Sequence, residues 1–260
     1  MLDFLNNKGI VGAIMGDKYL YINQYTVGDW ILWAGALIFV IVAAYLLGSV
    51  NTAIIISKCK YGEDIRTKGS GNAGMTNMLR TYGKPMAILT MAGDLLKTAL
   101  GIAIAGLVFG FQYFRGVSVC NECYLAGLAV VLGHVFPIFY GGKGGKGVLA
   151  TSLMACILSP LVFLIVGGLF FAIVGISRYV SLGSVSVVIL YPVALNAYFL
   201  IVFGGLNMPP FAAIASIAVA ILVVWCHREN LKRISQKTER KLWGDKKVES
   251  SAPEVNEDNE

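Results

Sequence analysis

Between Lys68 and Arg80 the chain reads KGSGNAGMTNMLR, with three glycines in six residues, a serine, two asparagines, a threonine and a closing arginine. Such a stretch suits an anion. Gly69, Gly71 and Gly74 let backbone N–H groups approach a ligand, and Ser70, Asn72, Thr76 and Asn77 add short hydrogen-bonding side chains. Arg80 adds a planar cation able to grip a phosphate through two bonds. A well-bonded turn between two helices would have much the same composition, so the rest of the chain must decide.

Three further clusters have chemistry to offer. GGKGGKG at 141–147 offers glycines for backbone approach and Lys143 and Lys146 for charge. It is not a Walker A loop: Pro137 and Tyr140 stand where that pattern needs glycine, and Gly follows each lysine where Ser or Thr should. Alone it reads equally as a flexible basic loop. SRYVSLGS at 177–184 carries Arg178, Ser181 and Ser184, and the two serines suit either an anion or the cap of the apolar run that follows. His227 opens His-Arg-Glu-Asn, with Asn230 one turn on along the same helix face. A histidine there can act as base, acid or phosphate donor. His134, in Gly-His-Val-Phe-Pro, reads equally as a packed interfacial residue or a base.

Neither histidine is followed by Asp at the fifth position, so the His-x4-Asp signature of the common glycerolipid acyltransferases is absent. Neither has the cysteine and glutamate company that zinc requires, and Cys120 and Cys123 form a lone CxxC among five scattered cysteines. No metal and no cofactor is expected.

The elements that must position these groups are membrane helices. The chain has 260 residues, 57% hydrophobic and 14% charged, against about a quarter charged in ordinary soluble domains. Apolar runs of roughly 20 residues recur, continuous rather than alternating, which selects helices over a β-barrel. The class is all-α, a polytopic integral membrane protein. The net charge of +6 comes mainly from a few loops and the tail, as the positive-inside rule requires, so nucleic acid need not be invoked.

Spans are expected at about 31–57, 86–111, 123–140, 182–203 and 209–226, with Trp30 and Trp33 anchoring the first at an interface. The second contains Asp94 and Lys97, spaced to pair on one helix face, either as a packing element or as part of a site. The stretch 148–176 decides the topology. If it breaks at Ser159-Pro160 into a hairpin, the count is seven and all four polar clusters face the cytoplasm. If it crosses once, the clusters are split. The hairpin puts the N-terminus outside and the C-terminus in the cytoplasm. Residues 1–29 then form an extracytoplasmic extension, 30–233 one membrane domain without internal repeats, and 234–260 a polar cytoplasmic tail whose acidic end is expected to be disordered.

GSGNAGMTNMLR, GHVFP…KGGKGV, SRYVSLGS and HRENLKR, in that order and with this span pattern, resemble the bacterial acyl-phosphate:glycerol-3-phosphate acyltransferase family of PlsY type, over about Ala44 to Arg233. Three positions depart from its usual pattern: Asn51 in place of Pro, Gly142 in place of an aromatic residue, and Met75 in place of a small one.

The resemblance implies seven membrane helices in the plasma (inner) membrane, an outside N-terminus and a cytoplasmic site. It implies acyl transfer from acyl phosphate to the 1-hydroxyl of glycerol 3-phosphate, giving lysophosphatidic acid and phosphate. The expected partners are these substrates and membrane lipid, and a monomer is compatible with the sequence. Carried over by position, His227, Asn230, Arg80 and Ser70 would be catalytic. Gly71, Asn72, Thr76, Asn77, Lys143, Lys146, Ser181 and Ser184 would bind substrate. Acyl phosphate has a good leaving group, so positioning, charge neutralisation and removal of the hydroxyl proton, by substrate phosphate itself if no side chain serves, would suffice. The competing class is a transporter for an anionic solute. It would explain Asp94 and Lys97, but transport sites lie near mid-membrane between paired repeats, and here the polar groups collect at one interface.

Overall fold

A computed structural model describes residues 8–16, 24–111, 113–114, 117–118, 120–204 and 208–243. The acidic end of the tail lies outside the described residues. Apart from a two-residue antiparallel pair, Tyr113–Phe114 with Val117–Ser118, the described architecture is helical.

A short helix α1 (Gly9–Met15) lies within the N-terminal extension and buries Val11 and Met15 in the main core. The first long helix, α2 (Val27–Ser49), starts from a capping box in which Thr26 and Asp29 satisfy each other's backbone N–H groups. It ends at an extended Val50, and Asn51 caps α3 (Thr52–Tyr61) by accepting from the Ile54 N–H at 3.1 Å. The helix break thus survives without a proline because Asn51 does the capping itself.

After the first glycine loop come α4 (Met75–Tyr82) and α5 (Lys84–Phe109), with Pro85 in the first turn of α5 where its missing N–H costs nothing. Then follow α6 (Asn121–Val135), α7 (Val148–Leu158), α8 (Pro160–Ser177), α9 (Val180–Val202), α10 (Pro210–Cys226) and α11 (Arg228–Ser235). The break at Ser159-Pro160 is present, with Pro160 opening α8.

Among the described residues, five helices are long and apolar enough to cross a bilayer, or six if α10 and α11, bent by 52°, count as one. The eleven-residue α7 is apolar but short. Leu164, Ile165, Phe171 and Ile176 of α8 all face outward, an apolar surface that belongs in lipid.

The centre is the crossing of α2 and α6, where glycine lets backbones touch. A Cβ on Gly48 would meet the backbone of Val130, and one on Gly133 would meet the backbone of Tyr45. The pairs α8–α9, α9–α10 and α5–α6 complete the packing. One end of the bundle is closed by aromatic rings: Trp33 stacks near Phe211, packs edge-on to Phe109 and donates from Nε1 to Glu122 at 3.1 Å. The glycine loops and α11 gather at the other end.

Candidate active site

The first wall starts at Asp64, whose carboxylate caps the 3-10 turn Ile65–Thr67 and grips the Arg66 guanidinium, with Nε to Oδ1 at 3.0 Å and Nη2 to Oδ2 at 2.8 Å. Those hydrogen bonds hold the Asp64 carboxyl down at about 2, so it is ionised at any ordinary pH. The loop that follows is folded around one side chain. Buried Asn77 accepts from the Ser70 N–H at 2.9 Å and donates to the carbonyls of Lys68 (3.0 Å) and Ile65 (3.2 Å). Asn77, expected to contact substrate, therefore has its amide engaged by the loop's own backbone, and shapes the cradle. Ser70 and Gly71 are exposed at the loop surface, Asn72 and Thr76 are half-buried beside them, and Arg80 closes α4.

The second wall, 141–147, carries left-handed glycines at Gly141, Gly142 and Gly147. Its backbone is tied to the end of α6 by Gly144 N–H to the Val135 carbonyl (3.1 Å) and Gly145 N–H to the His134 carbonyl (3.0 Å). From the other side Arg66 Nη1 donates to the carbonyls of Tyr140 (2.7 Å) and Lys143 (3.1 Å). Arg66, which the sequence did not single out, thus joins the two glycine loops. Lys143 is exposed, whereas Lys146 is half-buried and donates to Asn230 Oδ1. Burial lowers the Lys146 ammonium to about 8, with Glu239 opposing and Arg233 and Arg80 adding to the shift.

The third wall is the start of α9. Its N-cap is Tyr179, so neither Ser181 nor Ser184 caps the helix, contrary to the capping alternative. Ser181 accepts from Asn230 Nδ2 at 2.9 Å and donates to Glu239 Oε1 at 2.7 Å, while Ser184 donates to the Val180 carbonyl within its own helix. His227 sits in the bend between α10 and α11, and Asn230 is buried one turn on.

His227 Nδ1 lies 2.8 Å from the Val223 carbonyl, an acceptor, so Nδ1 carries the hydrogen and Nε2 is left with a lone pair. Burial pushes this imidazole down to about 4, so it is neutral at physiological pH.

Glu239 is the principal residue that the sequence did not reveal. It lies on the segment after α11, which curls back through a left-handed Lys237 and is pinned by the Leu242 N–H to the Arg178 carbonyl at 2.8 Å. Its carboxylate accepts from Ser181, from Asn230 Nδ2 (2.6 Å) and from Arg233 Nε (2.8 Å). Burial raises the Glu239 carboxyl, but bonds from Asn230, Arg233 and Ser181 outweigh it and hold the carboxyl below its ordinary value. Nothing periodic marks Glu239 in the sequence, because the turn that returns it is irregular. Arg80 of the first wall lies within electrostatic reach of Glu239, Arg240 and Lys146.

Polar residues from four separate stretches thus gather at one end of an apolar helical bundle, with cations and neutral donors both present. This defines an integral membrane protein with a cation-rich polar cluster at one end of its apolar helices.

The family model for glycerol-3-phosphate acyltransferase matches residues 38–237, and the chain belongs to that family. A glycerol-3-phosphate acyltransferase of Clostridioides difficile (strain 630) is 39% identical over 211 residues, 81% of this chain and 97% of that protein. The enzyme of the same name from Bacillus subtilis (strain 168) is 35% identical over 202 residues, 78% of this chain and 95% of that one. Among solved structures, the glycerol 3-phosphate form of PlsY (YgiH), an integral membrane glycerol 3-phosphate acyltransferase, is similar with a TM-score of 0.67. It is 35% identical and covers 80% of this chain and 96% of that one. Its lysophosphatidic acid form gives 0.64 at 33% identity, covering 79% and 94%.

Proposed function

We propose that this enzyme moves a fatty acyl group from acyl phosphate to the 1-hydroxyl of sn-glycerol 3-phosphate, releasing lysophosphatidic acid and inorganic phosphate. The observation that carries the reading is the chain of contacts Lys146–Asn230–Ser181, which unites the second glycine loop, α11 and α9 beside Arg80. Two phosphates enter this reaction and one must leave with an electron pair, so a site with several cations and neutral donors matches its charge changes.

In the step itself, the glycerol 1-oxygen attacks the acyl carbonyl carbon and the bond from that carbon to the phosphate oxygen breaks. Phosphate departs with the bonding pair, and the hydroxyl proton passes to a phosphate oxygen of the substrates. Neutral His227, with Nδ1 anchored on Val223, presents Nε2 as an acceptor that orients the attacking hydroxyl. Arg80 and Lys146 neutralise phosphate, and Ser70, Gly71, Asn72 and Thr76 supply donors from the first loop, where the glycerol 3-phosphate headgroup would sit. Lys143, exposed on the same loop as Lys146, meets incoming anions first.

An apolar groove of about 560 Å³ between α9 and α10, lined by Ile189, Pro192, Ile217 and Trp225, opens toward lipid. Trp225 is two residues from His227, so an acyl chain lying in this groove would reach the polar site from the bilayer. Seven crossings with an outside N-terminus put the polar end in the cytoplasm of the plasma membrane, where the basic loops belong. The working unit proposed is the monomer.

The experiment uses purified full-length protein in bilayers or lipid mesophase. Acyl phosphate with glycerol 3-phosphate is expected to yield lysophosphatidic acid and inorganic phosphate in equal amounts, and acyl-CoA is expected to yield none. No product with acyl phosphate, together with flux of a phosphorylated solute across liposomes, would overturn the reading in favour of transport.

A further inference from the structure

Beneath the polar pocket lies a second charged group that the acyl-transfer scheme does not use. Lys97, buried in α5, has its ammonium beside three polar groups, one an ion-pair partner without a hydrogen bond and two hydrogen-bond acceptors. These are Asp94 Oδ1 at 2.9 Å, the Val50 carbonyl at 2.8 Å and His134 Nδ1 at 2.9 Å. An ammonium has no lone pair, so His134 Nδ1 is the acceptor and the imidazole hydrogen sits on Nε2.

Each of the last two contacts leads to a wall of the site. Val50 is the extended residue between α2 and α3, and the next residue, Asn51, donates from Nδ2 to the Ala73 carbonyl of the first loop at 3.3 Å. His134 Nε2 lies directly against Gly145 of the second loop: a Cβ there would collide with Nε2 and stand 3.0 Å from the Ala73 carbonyl. The two glycine loops therefore meet above the His134 ring, and Lys97 sets the orientation of that ring.

Helix packing alone does not call for this arrangement. Replacing a buried ion pair with well-packed apolar side chains is commonly neutral or stabilising. What the lysine adds is direction, two hydrogen bonds with fixed geometry beside an ion pair in a low-dielectric interior.

We infer that Lys97, held by Asp94 and acting through His134, is a positioning residue that sets where Gly145 and Lys146 stand relative to the first loop. It touches no substrate. Removed together with the Asp94 charge, so that no buried carboxylate is left unpaired, it would leave the bundle folded while the second loop relaxes away from Asn230 and Ala73. The inference concerns the geometry of the site that the proposed acyl transfer uses, and it rests on that reading only where turnover is measured.

The test compares wild type with Asp94→Asn/Lys97→Met, which removes both charges of the pair, and with Asp94→Asn/Lys97→Gln as the second variant should the first not fold. Monodispersity and thermal midpoint establish folding in each. Competitive acetylation of Lys146 across pH, followed by mass spectrometry, needs no catalytic activity. Lys146 is expected to titrate near 8 in wild type, among Glu239, Arg233, Cys226 and Arg80. In the variant its titration should rise by about one unit as the ammonium regains water.

In the turnover assay, kcat/KM per folded enzyme is expected to fall by about 10- to 100-fold. Combining His134→Asn with Asp94→Asn/Lys97→Met should lose less than the product of their separate losses, because both act on one path. An unmoved Lys146 titration, or losses that multiply, would overturn the inference. Wild type without turnover would instead overturn the acyl-transfer reading, and the acetylation result would still decide this one.

Discussion

The two glycine loops that face each other across the pocket are held in opposite ways. The loop from Lys68 to Arg80 is built from within: Asn77, one of its own residues, binds three of its backbone groups or those just before it. The loop 141–147 makes its stabilising contacts outward, to Arg66 from the first loop's base and to the backbone at the end of α6, and its Lys146 rests on Asn230. A self-built loop can hold its shape when its surroundings change, whereas a loop held by its neighbours follows them. The first suits a fixed seat for one substrate. The second suits a grip that depends on whether the other walls are in place.

That contrast is broken most severely at Lys146. Lys146→Met removes the cation that joins the second loop to α11, and turnover is expected to fall about 100- to 1,000-fold in a protein that still folds, measured as initial phosphate release. Next is Arg66. Arg66→Ala leaves the first loop bonded through Asn77 but frees the second, with an expected loss in kcat/KM of about 10- to 100-fold and little change in thermal midpoint. Arg66→Lys should not restore activity, because an ammonium cannot hold both carboxylate oxygens of Asp64 and reach two carbonyls.

Asn77→Ala should show the opposite balance, destabilising by about 1–3 kcal/mol through the unpaired loop backbone and lowering the thermal midpoint more clearly than it raises KM. A variant whose KM moves while its midpoint does not would remove the distinction between the loops.

The smallest effect is in pH. Lys146 binds anions as a cation, present below about 8 and lost above it, so kcat/KM should decline on the alkaline side with a midpoint near 8. His227 is neutral above about 4, so its limb lies on the acid side, where protonation removes the Nε2 lone pair. Lys146→Arg should shift the alkaline limb upward, and a limb that stays at 8 in that variant would assign it to another group.

The same contrast explains what could be read from sequence. The first loop is local, so its glycines, Asn77 and Arg80 stand together in the chain in the pattern suited to an anion; only Asn77's structural task is hidden. The Ser159-Pro160 break was equally legible, since proline opens α8 by a rule of local sterics. Ser181 and Asn230 each stand out in their own motif, but their contact with each other depends on α9 and α11 meeting in space.

Arg66 and Glu239 carry no local mark in the sequence for a related reason. Their partners lie far along the chain or across an irregular turn, and an arginine or glutamate in a polar loop is otherwise unremarkable. Asp94 and Lys97 were visible as a pair, but the approach of His134 from α6 is a product of tertiary packing.

The central claim is that both loops and α11 serve one acyl-transfer site. The most direct measurement is the initial rate of phosphate release from acyl phosphate, with and without glycerol 3-phosphate, for wild type, Arg80→Ala and His227→Ala in the same lipid. Wild type is expected to require both substrates and to form one lysophosphatidic acid per phosphate, while both variants stay monodisperse and lose turnover by at least about 100-fold. Wild-type rates in both variants would contradict the site described here.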